Sequence, residues 1–476
     1  MKNISIKKAA IINGIGKYSK IFLSIIVNAI LARLLSPGDY GIVAVVTVFS
    51  TFFSTLADMG FGVAIVQNKK LTSNDINNIF SFTIYISLIL MVLFSLLAVP
   101  ISKFYHNNVY VSLTLLLSIS LLFDAMNMVP NGILNKNKEF MVIAVRTVVV
   151  YLLASVLTVI LAMNGFRYYS LVIQAIVTSI FTFLWNYIDT HPKFKLRFQF
   201  SSVKKVLSYS SYQFAFNFVN YFARNLDNLL TGKFMGDVQL GYYNKAYDLM
   251  LYPVNNLTGI VSPVLHPILS DFQDNLKVIY EKYLKVFKIL FCLSAFAAPF
   301  CFLSSKEIIT IMYGSNWKSS IICFQILSIA IVPQMLNSSA GGVFQAIGNT
   351  RLLFWNSCIN TGITVIAILI GIFWGKSIVA LSGAIAIAYI CHFFTAYFML
   401  IKLGFGYKMS MFFGNILPDL IILLGMEIAV SVYHLNISNI FISLVVKGLY
   451  LLVIFVVLLV VTGEYKLIKK VEKEKI

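Results

Sequence analysis

Asn28-Ala-Ile-Leu-Ala-Arg33-Leu-Leu-Ser-Pro-Gly-Asp39-Tyr-Gly41 and Asn228-Leu-Leu-Thr-Gly-Lys233-Phe-Met-Gly-Asp-Val-Gln239-Leu-Gly241 share an Asn, a basic residue and a Gly at a constant offset of 200 residues. Each stretch closes an apolar run and opens the next. A weaker echo places Leu134, Lys138 and Phe140 against Ile347, Arg351 and Leu353 at an offset of 213. The echoes follow the first and seventh apolar runs, then the fourth and tenth. Six runs separate each pair, and an even number preserves orientation across a membrane, so the pattern reads as a parallel repeat of two like-facing halves. Chance similarity between apolar segments is the competing reading.

The rest of the 476-residue chain fits that frame. Apolar residues make up 59% and charged residues 12%, and the mean hydropathy is +0.86. Soluble proteins carry about 25% charged residues, so a soluble enzyme is excluded first. Apolar runs fall at about 9–35, 41–66, 79–101, 109–130, 142–164, 168–189, 207–232, 239–263, 283–304, 319–345, 352–375, 377–401, 410–434 and 438–462. Each is near the length that spans a bilayer, about 20 residues. The expectation is an all-α polytopic membrane protein of about 14 transmembrane helices. Two six-helix lobes, 1–190 and 207–403, would be related by a pseudo-two-fold axis and joined by a basic linker, 191–206. Two extra helices and a basic tail would occupy 404–476.

Lys and Arg total 37 against 18 Asp and Glu, a net charge of +19. The cations concentrate in alternate loops, such as Lys69 and Lys70, Lys136 and Lys138, and the linker's Lys193, Lys195, Arg197, Lys204 and Lys205. That distribution is topology signal and puts both termini in the cytoplasm, so nucleic acid is not the partner expected of this charge. The cysteines form no CxxC and the histidines have no metal-ligand spacing, so neither a metal nor a cofactor is expected. No nucleotide-binding or hydrolase motif occurs, and no loop is long enough for a catalytic domain.

Polar residues inside the runs fall on single helix faces. The first run carries Asn13, Lys17, Lys20, Ser24 and Asn28. The second carries Thr47, Thr51, Ser54 and Asp58. The seventh carries Gln213, Asn217, Asn220, Arg224, Asp227 and Thr231, and the eighth carries Asn244, Asp248, Asn255 and Ser262. Four such stripes on repeat-equivalent helices would line a wet cavity; helix-to-helix hydrogen bonding is the alternative for the uncharged ones. Arg224 and Asp227, three residues apart, either serve that cavity or pair with each other. Asp58 has no basic residue on its own stripe and is the better protonatable carboxylate. Arg146 and Lys288 lie close enough to run ends to snorkel to the surface. No role emerges for Asp419 or Glu427. Prolines such as Pro100, Pro130, Pro253, Pro299, Pro333 and Pro418 are expected to bend or end helices.

The segment Ile30-Leu-Ala-Arg-Leu-Leu-Ser-Pro-Gly-Asp-Tyr-Gly-Ile-Val-Ala44 resembles the opening of the polysaccharide transporter branch of the MOP exporter superfamily, the Wzx-type flippases. Asp58-Met-Gly-Phe-Gly62 with Gln67 fits the same pattern. So do Asp227-Asn-Leu-Leu-Thr-Gly-Lys-Phe-Met-Gly236, Leu240-Gly-Tyr-Tyr-Asn-Lys-Ala-Tyr247 with Pro253, and the turn Gln345-Ala-Ile-Gly-Asn-Thr-Arg351. The resemblance implies alternating-access transfer of a polyprenyl-diphosphate-linked oligosaccharide to the outer leaflet of the bacterial cytoplasmic membrane, for capsule, O-antigen or exopolysaccharide synthesis. A central cationic cavity and coupling to H⁺, Na⁺ or the membrane potential are implied with it, as are membrane lipids and polysaccharide polymerase machinery as partners. By position, Arg224, Lys17 and Lys20 would attract the diphosphate, and Asn217, Asn220, Asn244 and Asn255 would bond sugar hydroxyls. Asp58, Asp227 or Asp248 would couple the ion. Arg33, Asp39, Gly41, Lys233 and Gly241 belong to the turns, as structural or gating residues. A multidrug and toxin exporter of the same superfamily is the alternative, and a membrane polymerase or ligase would need a larger external loop.

Overall fold

The computed structural model describes residues 6–58, 61–206, 211–259, 269–273 and 275–466. All regular structure among them is helical, as a hydrocarbon environment requires when backbone groups must be satisfied within each segment. Large apolar side chains such as Phe22, Leu153 and Val461 point outward, Val461 with 75% of its surface exposed. In water that surface would be an aggregation liability; in a bilayer it is the solvated face.

Among the described residues, ten helices are long and apolar enough to cross a membrane, and two bent pairs, 315–328 with 331–346 and 409–415 with 417–432, bring the number to as many as 12. The 14 expected spans are therefore not all confirmed. The seventh and eighth form helices, Ser211–Phe234 and Asp237–Thr258, but their polar stripes keep them out of that set.

The described residues divide into two compact units, Met1–Gly241 and Tyr242–Ile476. The first contains α1 (Ile6–Leu34), α2 (Pro37–Asp58), α3 (Phe61–Gln67), α4 (Ser73–Leu96), α5 (Ala98–Tyr105), α6 (Val109–Met126), α7 (Met128–Lys136), α8 (Phe140–Met163), α9 (Tyr168–Thr190), α10 (Phe200–Lys204) and α11 (Ser211–Phe234). Its core joins Phe52 and Phe53 of α2 to Phe94 of α4 and to Tyr110, Leu113 and Leu121 of α6. Breaks in the long helices follow proline. Pro100 sits in the first turn of α5 and Pro130 in the first turn of α7, where a missing N–H costs nothing. Pro333 and Pro418 likewise sit in the first turns after the bends, whereas Pro253 and Pro299 lie inside uninterrupted helices.

The basic linker lies along α4. Asp75 closes a capping box with Thr72 and takes the Lys205 ammonium at 2.9 Å. Asn78 donates to Ser202 at 3.1 Å, and the backbone N–H of Lys195 donates to Ser81 Oγ at 2.8 Å. Segment 191–206 is thus anchored by its own hydrogen bonds.

In the second unit the Leu276–Leu303 helix packs against Leu417–Val432 and Ile440–Thr462 around Phe287, Phe412, Met426 and Leu451. Three buried ion pairs tie this bundle together, with Glu307 supplied by the helix Ser305–Tyr313 and Glu464 by the turn after Ile440–Thr462. Lys288 lies 2.7 Å from Glu464 and 3.6 Å from Asp419, and Lys447 lies 2.7 Å from Glu307. Asp419 thereby gains a structural role, and Lys288 is held by two carboxylates rather than reaching free to the surface. Breaking a buried pair from one side costs about 3–5 kcal/mol because it strands the other charge. Lys288→Met should therefore lower the melting temperature of the detergent-solubilised protein sharply, while Lys306→Met, outside these pairs, leaves it within experimental scatter. A Lys288→Met protein that melts with the wild type would overturn the buried-pair account.

Candidate functional site

A cavity of about 800 Å³ opens inside the first unit, beside the turn at Asn127 that separates α6 from α7. The short helices α3 and α7 approach closely at their glycines: a Cβ on Gly132 would lie 3.4 Å from the Gly62 backbone. Thr51, Ser54, Thr55 and Asp58 line the cavity from α2, with Gln67 from α3. Asp124, Asn127, Asn131 and Asn135 line it from α6 and α7, and Phe140 from the start of α8. Its described lining includes two carboxylates and no base.

A buried cation stands behind this wall. Arg146 of α8 is only 6% exposed. Its Nη1 donates to Asn186 Oδ1 and, at 3.4 Å, to Asn131 Oδ1. Asn186, fully buried, donates through Nδ2 to Asn127 Oδ1 at 2.7 Å. A guanidinium only donates. Asn131 and Asn186 must therefore turn their oxygens toward Arg146, Asn186 must donate onward, and Asn127 must accept. Asn127 and Asn131 are left with their NH₂ groups for the cavity. Alongside, Ser120 bonds Ser179 at 2.7 Å and donates to Asp124 Oδ2 at 3.4 Å.

The far end of α2 packs tightly against the start of the helix Asp237–Thr258. Asp58 lies 17 residues from Gly41, about 25 Å at 1.5 Å per residue. There, a Cβ on Gly41 would fall 1.8 Å from the Asp237 carbonyl oxygen, and a Cβ on Gly241 would fall 1.9 Å from that of Pro37. The contact is reciprocal and follows the 200-residue offset. Side chains brace it. Tyr110 donates to Asp237 Oδ1 at 2.5 Å, Arg167 pairs with Asp39 at 3.2 Å, and Tyr105 donates to the Leu229 carbonyl at 3.1 Å. Lys233 donates to the Phe104 carbonyl and lies 4.7 Å from that ring's centre.

Among the residues expected at the site, Thr51, Ser54 and Asp58 meet at the cavity, whereas Thr47 of the same stripe does not line it. Lys17 and Lys20 are exposed, with Lys20 5.8 Å from the Tyr151 ring centre of α8. Arg224 is exposed and makes no ion pair among the described residues, while Asp227 is buried and accepts from the Asn228 N–H at 2.8 Å. The side chains of Asn217 and Asn220 lie outside the described residues. Asn244 and Asp248 are half-buried and Asn255 is exposed, all in the second unit. There Lys245 is buried 5.7 Å from the Tyr313 ring centre, and Tyr247 bonds Tyr389. Arg33 donates to the Ala29 carbonyl at 2.6 Å. Arg146 does not snorkel; buried amides hold it. The reading of stripes missed Asp124, Asn127, Asn131 and Asn135, although their steps of three, four and four are the spacing it used elsewhere.

The profile of the family described as "Polysaccharide biosynthesis protein" matches residues 30–322. The chain belongs to that family. A similar protein, "Uncharacterized membrane protein in cps region" of Klebsiella pneumoniae, is 23% identical over 92% of both chains. The "Lipopolysaccharide biosynthesis protein WzxC" of Escherichia coli (strain K12) is also 23% identical, over 81% of this chain and 79% of its own. Among solved structures, the inward closed conformation of the lipid II flippase MurJ superposes with a TM-score of 0.72 at 16% identity, covering 94% of this chain and 98% of its own. The polysaccharide biosynthesis family member thus shares its fold with the lipid II flippase MurJ. In this family member Asn186→Leu would strand Arg146 and the Asn127 carbonyl. Each unsatisfied buried group costs about 1–3 kcal/mol, so the melting temperature in detergent should fall clearly, and Asn135→Ala, at the cavity edge, should have a much smaller effect. Equal effects would remove Asn186 from its bridging role.

Proposed function

We propose that this protein is a flippase that carries polyprenyl-diphosphate-linked oligosaccharide units from the inner to the outer leaflet of the bacterial cytoplasmic membrane by alternating access. It would serve capsule, O-antigen or exopolysaccharide assembly and hand its product to polymerase machinery. Membership of the polysaccharide biosynthesis family carries this reading. The arrangement of the first unit supports it: a polar cavity at one end of α2 and tight packing at the other are what transfer of a hydrophilic head group between leaflets needs.

In this reading the lobes 1–190 and 207–403 alternate about the linker 191–206, with 404–476 as an accessory helix pair and both termini in the cytoplasm. Arg224, exposed on its helix, attracts the diphosphate together with Lys17 and Lys20; Asn217, Asn220, Asn244 and Asn255 bond the sugars. Asp58, Asp227 or Asp248 takes up the coupling H⁺ or Na⁺. Gly41 and Gly241 form the seal that must part and close again, with Asp39, Arg33 and Lys233 around it. A cation exporter is the second reading, favoured by one observation: the described cavity lining holds Asp58 and Asp124 and no base.

The test is exchange in proteoliposomes of a fluorescent polyprenyl-diphosphate oligosaccharide, read by its accessibility to a membrane-impermeant glycosidase. Exchange should depend on an imposed ion gradient and fall at least tenfold in both Arg224→Ala and Gly41→Ala. Exchange untouched by Arg224→Ala would keep the function and remove that residue from it. Uptake of cationic dyes without lipid exchange would give the second reading its place.

A further inference from the structure

Resting on the flippase reading, we propose that the cavity lined by α2, α3, the α6–α7 turn and the start of α8 is a sugar-recognition subsite for neutral or N-acetylated residues of the head group, and that it turns away uronates and the diphosphate. The argument is one of matched donors and acceptors. Arg146 forces the Asn127 and Asn131 oxygens away from the cavity, so each presents an NH₂ donor there. Asp58 and Asp124 supply acceptors in the same cavity. Adjacent donors and acceptors complement vicinal hydroxyls, and they complement an acetamido group still better: its N–H meets a carboxylate and its carbonyl meets an amide.

A bare cation is the poorer occupant, because the same amides would turn their N–H bonds toward it. An anion is poorer still, because two carboxylates face it with no base in the described lining. Phe140 adds an apolar face for the C–H side of a sugar ring, and about 800 Å³ lies within the range of sites that enclose small ligands, about 300–1,000 Å³. The diphosphate must then lie elsewhere along the path.

The test titrates purified full-length protein with three soluble probes: chitobiose (two N-acetylglucosamines), digalacturonate and tetraphenylphosphonium. Chitobiose should bind at least tenfold more tightly than digalacturonate. Asp58→Asn/Asp124→Asn, which preserves side-chain volume, should shrink that preference below threefold. Equal or tighter digalacturonate binding, no binding of either sugar, a preference unchanged in the double variant, or tetraphenylphosphonium outcompeting chitobiose would each overturn the proposal. The wild-type comparison stands alone should the double variant fail to fold. Binding and lipid exchange are separate readouts. A protein that flips acidic donors keeps the flippase function and loses this subsite, whereas one that prefers chitobiose but flips nothing keeps the subsite and loses the flippase.

Discussion

Hydrocarbon offers no hydrogen bonds, and every polar group in this chain is placed under that constraint. Arg146 shows its reach. A charged side chain that can only donate, buried in an apolar bundle, dictates the orientation of each amide it touches. Asn186 and Asn131 accept from it, Asn186 passes a donor to Asn127, and two NH₂ groups are left at the cavity. The chemistry of the cavity wall is thus set from behind it by a residue that does not line it.

The same constraint explains the second unit. Lys288 and Asp419 come from two separate helices and Glu464 from the turn after a third, and the partners Lys447 and Glu307 come from two. Each charge alone would be expelled to the interface. Together they make the last two membrane helices inseparable from the helix that begins at Leu276. The ion pairs fix which helices are neighbours, while the apolar cluster around Phe287 and Phe412 supplies the contact area.

How much of this was legible in the sequence follows from what periodicity can carry. The stripe Thr51, Ser54, Asp58 was readable because one helix face needs only one helix to define it, and the structure places all three at the cavity. The matching stripe of Asp124, Asn127, Asn131 and Asn135 has the same steps, but a proline at 130 divides it between two helices. Arg146 and Lys288 were misread for a different reason. Distance from the end of an apolar run measures the cost of snorkelling and says nothing of a partner on a helix forty or more residues away. Fourteen apolar runs were visible, but the seventh and eighth are polar enough that composition alone does not certify them as spans. Where they pack is a tertiary fact: α11 meets α2 through Tyr221, which donates to the Val48 carbonyl at 2.6 Å, and through Phe222 against Phe52.

The 200-residue repeat was legible as a pattern, but its physical reason was not. A conserved spacing of glycines ordinarily suggests positive φ, and neither Gly41 nor Gly241 has it. Both lie in helices and are needed for approach: each directs a Cα–H at the other turn's carbonyl, where any Cβ would collide. Each such contact is worth about 0.5–1 kcal/mol. The pair is therefore steric in its specificity and weak in its energy. In the proposed transport cycle, a contact made mainly of backbone against backbone would part for a few kilocalories per mole, which is the scale on which a ligand's differential affinity shifts a two-state equilibrium. The bracing contacts of buried Tyr110 with Asp237 and of Arg167 with buried Asp39 add to the cohesion of the contact from side chains. Tight geometry combined with low cohesion is the property the proposed gate would require, and here it follows from two residues that have no side chain at all.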